Sequence, residues 1–187
     1  RGTMAFTSSD RGYPGPFGSN PIGAYPGIDT VSRGMMDTTQ AAVRWLQPLG
    51  SRARQTVSLT WLDLQSDYDS SYGLSASSSS RFGVRWQGDV DVRAGASLSM
   101  GAELHRERAT STFIVADDQG AVPIRRRIVG SFAELRLQPT GSLSLTAGLR
   151  AEHIRRDRLG SSLDPYSPRP AFDVDTRTSV NPRVSAA

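Results

Sequence analysis

The feature that most restricts how this chain can fold is the stretch VRAGASLSMGAELHRE, Val92 to Glu107. Its even positions are Val92, Ala94, Ala96, Leu98, Met100, Ala102 and Leu104. Its odd positions are Arg93, Gly95, Ser97, Ser99, Gly101, Glu103 and His105. One face is apolar and the other has no apolar residue. A period of two belongs to a β-strand. Either the apolar face packs on a protein core and the polar face meets water, as in a soluble antiparallel sandwich, or the apolar face meets lipid and the polar face lines a lumen.

The same alternation recurs, and no window places apolar residues at helical spacing. Strands are expected near 40–46, 54–64, 80–87, 92–108, 127–138, 143–157 and 179–187. Residues 1–38, with the proline- and glycine-rich RGYPGPFGSNPIGAYPG, are expected to form an extracellular loop region. Residues 39–187 are expected to form a partial barrel. Connections alternate short (47–53, 88–91, 139–142) and long (65–79, 109–126, 158–178). Short turns at one end and long loops at the other mark outer-membrane barrels, whereas Greek-key sandwiches have no reason to alternate in this way.

Aromatic placement points the same way. Trp45 and Trp86 sit close to expected short turns on the apolar face. Trp61 lies eight positions after Ala53, or roughly 19 Å higher at ~3.3 Å per residue and ~45° tilt. These three are the candidate lipid girdle. The apolar face is mostly Ala, Leu and Val, small for a sandwich core but suited to lipid tails. Glu103, His105, Glu134, Arg136, Arg150 and Glu152 fall on the other face as lumen-lining candidates. The fold class is therefore all-β: an antiparallel up-and-down transmembrane barrel, here an open sheet of about seven strands. The alternatives are a smaller porin- or adhesin-type barrel and a secreted β-sandwich binding module.

Charge and motifs exclude other classes. All 22 basic residues are arginine, the net charge is only +4, and cysteine is absent. The arginines are spread out except for Arg125-Arg126-Arg127 and Arg155-Arg156, unlike the focused basic face of a nucleic-acid reader. No nucleophile elbow or phosphate loop is present, so no enzyme and no cofactor are expected. Asp63, Asp67 and Asp69 lack a glycine-centred calcium loop, and His105 and His153 lack second ligands, so no metal site is expected. Tyr13, Phe17, Tyr25, Tyr68, Tyr72 and Phe113 are candidate loop contacts for a ligand; packing of loops on each other is the other use open to them. The triple arginine at 125–127 is placed at the outer rim, as a solvated rim or as a contact for anionic lipopolysaccharide or an anionic ligand.

FAELRLQPTGSLSLTAGLRAEHIRRD resembles the barrel strands of TonB-dependent outer-membrane receptors. VNPRVSAA at 180–187 and GASLSMGAELHRER resemble the neighbouring strands, so the resemblance covers roughly residues 40–187. It implies a barrel of about 22 strands around a plug and residence in the bacterial outer membrane. It further implies energised import of a scarce large ligand of the siderophore, cobalamin or oligosaccharide class. The implied partners are outer-membrane lipid, the plug domain of the same full-length chain, and the TonB energy-transducing complex, reached through another part of that chain. On this resemblance the chain is a middle slice of the barrel.

Overall fold

The structure, a computed structural model, describes residues 1–13, 31–70, 73–116, 120–165 and 168–187. Among these the regular elements are all strands: β1 (Gly2–Gly12), β2 (Arg33–Pro48), β3 (Ala53–Ser70), β4 (Gly73–Arg93), β5 (Ala96–Ser111), β6 (Val115–Ala116), β7 (Gly120–Ala121), β8 (Ile124–Thr140), β9 (Leu143–Arg156) and β10 (Asp175–Ala186). Eight of them form one antiparallel sheet in the order β1-β2-β3-β4-β5-β8-β9-β10, while β6 and β7 form a small hairpin. Apart from β6–β7, each strand pairs with its sequence neighbour, the meander of an up-and-down barrel wall. β1 and β10 do not pair with each other, so the sheet is open.

The sheet has no core of its own. Among the described residues the only buried apolar side chain is Ala96, while Val43, Trp45, Leu59, Trp61, Trp86, Leu149 and Val180 are exposed. A sandwich would hide these residues under a second sheet. Register confirms that they share one face: Trp45 opposes Val57, which opposes Trp86, then Ala102, Ser131, Ala151 and Val180. From Ala96 to Leu104 the apolar positions of β5 cover roughly 19 Å of height at ~45° tilt, close to the ~25 Å apolar band of such barrels.

Three expectations need correction. Residues 1–38 are not all loop, since β1 runs from Gly2 to Gly12 and pairs with β2. Met4 and Phe6 project from it on the face of Ala41 and Thr39, continuing the apolar alternation. The long connections are also shorter than expected. β3 and β4, with 18 and 21 residues, exceed the ~9–11 that cross a bilayer. They stay paired as far as Ser70↔Gly73, so 65–79 is largely a hairpin extension rather than a loop.

The third correction concerns the opening stretch. The turn is at Ala94-Gly95, not at 88–91: Arg93 pairs with Ala96, and a bulge lies between Asp91 and Arg93. Gly95 has a φ of +74°, and a Cβ there would lie 2.7 Å from the Gln138 carbonyl oxygen. Asp89 stays in the ladder because its carboxylate accepts hydrogen bonds from Ser99 Oγ (2.7 Å), Gln87 Nε2 (3.0 Å) and Arg54 Nε (3.1 Å). Val92 and Ala94 therefore do not belong to the strand that carries Leu98 and Met100. Gly95→Ala is expected to cost about 1–2 kcal/mol, because an L-residue is placed in left-handed backbone. Denaturant unfolding of the full-length protein in lipid vesicles reads this; an unchanged midpoint would show that the turn tolerates a side chain.

Candidate functional site

The face opposite the apolar one carries the candidate site. All six residues expected there share it. Glu103 opposes Gly130, which opposes Glu152. Arg150 opposes Phe132, which opposes Gly101. Glu134 and Arg136 oppose Ser99 and Ser97, and His105 opposes Ile128.

Side chains on this face lie along the sheet and pair across it. Arg150 donates from Nη2 to Glu103 and, at 3.0 Å, to Glu152. Glu103 is on β5 and Arg150 on β9, so the pair reaches across β8, where Gly130 leaves the path open: a Cβ there would sit 3.0 Å from Glu103 Cγ. The Glu103 side chain is only 8% exposed, so removing Arg150 would leave a buried carboxylate without its ion-pair partner. Arg136 donates to Glu134 at 2.7 Å along the same strand. Nearer the outer end, Glu107 receives Arg126 Nε at 2.7 Å and lies 3.5 Å from Arg81 Nε.

Two glycines let bulky neighbours lie flat. The Phe132 ring covers Gly101, and His105 covers Gly83. The Arg85 guanidinium stands 5.0 Å from the Phe132 ring centre, a cation–π distance. Phe132, Arg85 and Glu107 add to the candidates that the sequence marks. Phe132 sits at a polar-face position of the alternation, which is the signal that marks it.

At the outer end the structure brings two of the expected aromatics together. Tyr13 and Tyr68 meet edge to face with ring centres 5.5 Å apart, and Tyr13 lies over Gly34. They border a small concavity with Ser9, Arg11 and Ser66. Beside it, beyond the apolar band, Arg33 donates to both Asp10 carboxylate oxygens at 2.7 and 2.8 Å. This holds the Asp10 carboxyl below its ordinary value. Phe113 is exposed in a different connection. Phe17, Tyr25 and Tyr72 lie outside the described residues.

The tryptophans all lie on the apolar face, but the shifted turn changes one assignment. Trp86 is eight positions before Ala94, not next to a turn, and its register row is that of Val57 and Trp45, four residues from the Trp61–Phe82 row. Trp61 pairs with Phe82, and Trp45 remains near the end of β2. Asp63, Asp67 and Asp69 alternate along the extended β3, spaced out on one side of a strand rather than gathered in a loop. His153 is on the apolar face, its Nδ1 2.9 Å from Thr178 Oγ1. The loops above the sheet are tied together: Arg169 donates to the Val115 carbonyl of β6 and, at 2.9 Å, to that of Gly160.

The arrangement is a sheet one residue thick, wettable on one side and greasy on the other. It suits a wall between lipid and a polar passage.

The sequence matches the family described as TonB dependent receptor-like, β-barrel, over residues 2–187. No curated protein matches the chain. Among solved structures, the fold is similar to the open form of the ferric-catecholate import receptor Fiu from E. coli K12. The TM-score is 0.60 at 12% identity, over 84% of this chain and 34% of that one. The closed form of the same receptor gives a TM-score of 0.57 at 12% identity, over 83% of this chain and 30% of that one. The chain thus spans about a third of the length of these solved receptors.

Proposed function

The chain belongs to the family of TonB-dependent receptor-like β-barrels, proteins of the bacterial outer membrane, and from that premise we propose that it forms part of the wall of an importer for a scarce large ligand. The observation that carries this reading is the single open sheet with an uncovered apolar face and an opposite face of interlocked charges. Exposed Leu149, Val180 and Val184 meet lipid tails, with Trp45, Trp61 and Trp86 as interfacial anchors. Glu103, His105, Glu134, Arg136, Arg150 and Glu152 line the lumen. Their mutual pairing makes that face rigid and polar, suited to hydrogen-bonding a plug domain from elsewhere in the full-length chain. The plug would move when the TonB complex pulls on it.

The Tyr13–Tyr68 pair and the exposed Phe113 are the proposed ligand contacts at the mouth, with Phe17, Tyr25 and Tyr72 as further loop candidates. Rigid aromatics offer large contact area at low entropic cost, which fits a siderophore, cobalamin or an oligosaccharide. The test is uptake by the full-length receptor in a host lacking its own receptors, with and without TonB. Accumulation of a ferric catecholate, cobalamin or an oligosaccharide only when TonB is present is expected. Accumulation of the same ligand without TonB would leave a passive pore, and no accumulation of any of the three would remove the importer reading.

A further inference from the structure

The arginines divide sharply between the two faces at the outer end of the sheet. On the lumen side the register partners are Arg81, Glu107, Arg126 and Arg156. Glu107 there holds both Arg81 and Arg126, and Arg156 lies 3.9 Å from Asp175. One residue along, on the apolar face, the partners are Phe82, Arg106, Arg127 and Arg155. The next row outward on that face has Ser80, Arg108 and Arg125. No acidic residue separates these five arginines in either row, and none makes an ion pair or side-chain hydrogen bond among the described residues.

Like charges directly opposite one another in a sheet are ~4.5–5.5 Å apart at Cβ and repel. Five guanidinium groups so placed call for an anion from outside the chain. Together with Trp61 and Phe82 they line a groove of about 490 Å³ that also holds two carboxylates, Glu107, which Arg81 and Arg126 occupy, and Asp157, which adjoins Arg125 at the end of its row, so the arginines still outnumber the acids. Asp63 lies two strands away from Arg108, beyond Ser80.

The position of the patch names the class of anion. Along β5 the outward residues run Leu98, Met100, Ala102, Leu104 and then Arg106 and Arg108. Along β8 Leu135, Ala133 and Val129 precede Arg127 and Arg125 towards the outer end. Arg106 is ten positions beyond Ala96, which is where a strand of ~9–11 residues leaves the hydrocarbon. Phosphate groups attached to acyl chains sit at that boundary. Guanidinium groups bind phosphate oxygens in a bidentate manner, and Trp61 and Phe82 suit the same interfacial depth.

We propose that Arg106, Arg108, Arg125, Arg127 and Arg155 form a binding site on the outer wall for a phosphorylated glycolipid of the outer leaflet. Its phosphates sit among the guanidinium groups and its acyl chains run down along Leu104 and Val129. The site needs the outer-membrane position but not the import reading, so the failure of either leaves the other standing.

The test uses the full-length receptor extracted from outer membranes in mild detergent, with native mass spectrometry counting retained lipopolysaccharide. Wild type is expected to keep the glycolipid. Arg106→Gln/Arg127→Gln/Arg155→Gln should keep at least about tenfold less, since three charge-assisted hydrogen-bond donors to phosphate are lost. Folding of the variant is checked by its faster migration on an unheated gel, and single Arg127→Gln serves if the triple variant does not fold. Independently of any variant, wild type is titrated with lipid A, with dephosphorylated lipid A and with inorganic phosphate. Phosphorylated lipid A alone should bind well. Equal binding of the dephosphorylated form, or of inorganic phosphate without lipid, overturns the proposal, as does full retention by a folded triple variant.

Discussion

Arginine at Met100 is expected to destabilise the full-length barrel by about 2–4 kcal/mol, whereas arginine at the adjacent Ser99 should change stability by no more than about 1 kcal/mol. The two residues are consecutive on β5 and differ in the face they occupy. Met100 opposes Gly88 on one side and Ala133 on the other. It lies halfway along the apolar run from Ala96 to Leu104, so a guanidinium there faces the middle of the hydrocarbon with no partner in reach. Ser99 opposes Asp89 and Glu134. A guanidinium there loses the Ser99 Oγ bond to Asp89 but gains two carboxylate neighbours. Unfolding of the protein in lipid vesicles, followed by tryptophan fluorescence, measures both. Equal penalties would mean that the two faces meet the same medium, and the wall would have to be read as something other than a lipid boundary.

That contrast was legible in the sequence because strand parity is a purely local property. Leu98, Met100, Ala102 and Leu104 alternate with Ser97, Ser99, Gly101 and Glu103 whatever the neighbours do. Turn positions depend on more than parity. Arg93-Ala94-Gly95 carries none of the usual Asn-Gly or Asp-Gly turn signal, and its alternation happens to match that of the strand it precedes. Gly88-Asp89 looks like a turn but is held in the ladder by Ser99, Gln87 and Arg54, residues brought in from two other positions on β4 and β5 and one on β3. β1 was hidden for a different reason: Thr3 to Phe6 alternates correctly, but the run is short and precedes a proline-rich segment. The polar hairpin extension at 65–79 has no alternation to read, since both its faces meet water and only backbone pairing keeps it extended.

The candidate site was legible in composition but not in pairing. Glu103, Arg150 and Glu152 could be placed on one face from parity alone. That Arg150 reaches Glu103 across an intervening strand requires the register and the absence of a side chain at Gly130. The outward arginines were visible as the runs 125–127 and 155–156. Parity splits each run, sending Arg126 and Arg156 to the polar face and Arg125, Arg127 and Arg155 to the apolar face, and only the register with β5 shows that the first pair has ion-pair partners while the second group makes no ion pair among the described residues.

Gly101→Leu should cost about 3 kcal/mol, near the upper end of what overpacking imposes. A Cβ at this position would lie 2.5 Å from the Phe132 ring and 2.5 Å from the Trp86 carbonyl oxygen. The ring can swing away, but then the Arg85 guanidinium loses the face it stands over at 5.0 Å. The carbonyl cannot swing, because it belongs to the β4 backbone that pairs with β5. The two contacts are separable in a double mutant. Phe132→Ala in the Gly101→Leu background should recover the part of the loss that comes from the ring and leave the part that comes from the backbone, so recovery is expected to be incomplete. Complete recovery would place all the strain in the side chain. No loss in the single variant would mean that β4 and β5 can separate at this level without consequence, and the flat, glycine-backed wall at Gly101 would not be a structural requirement.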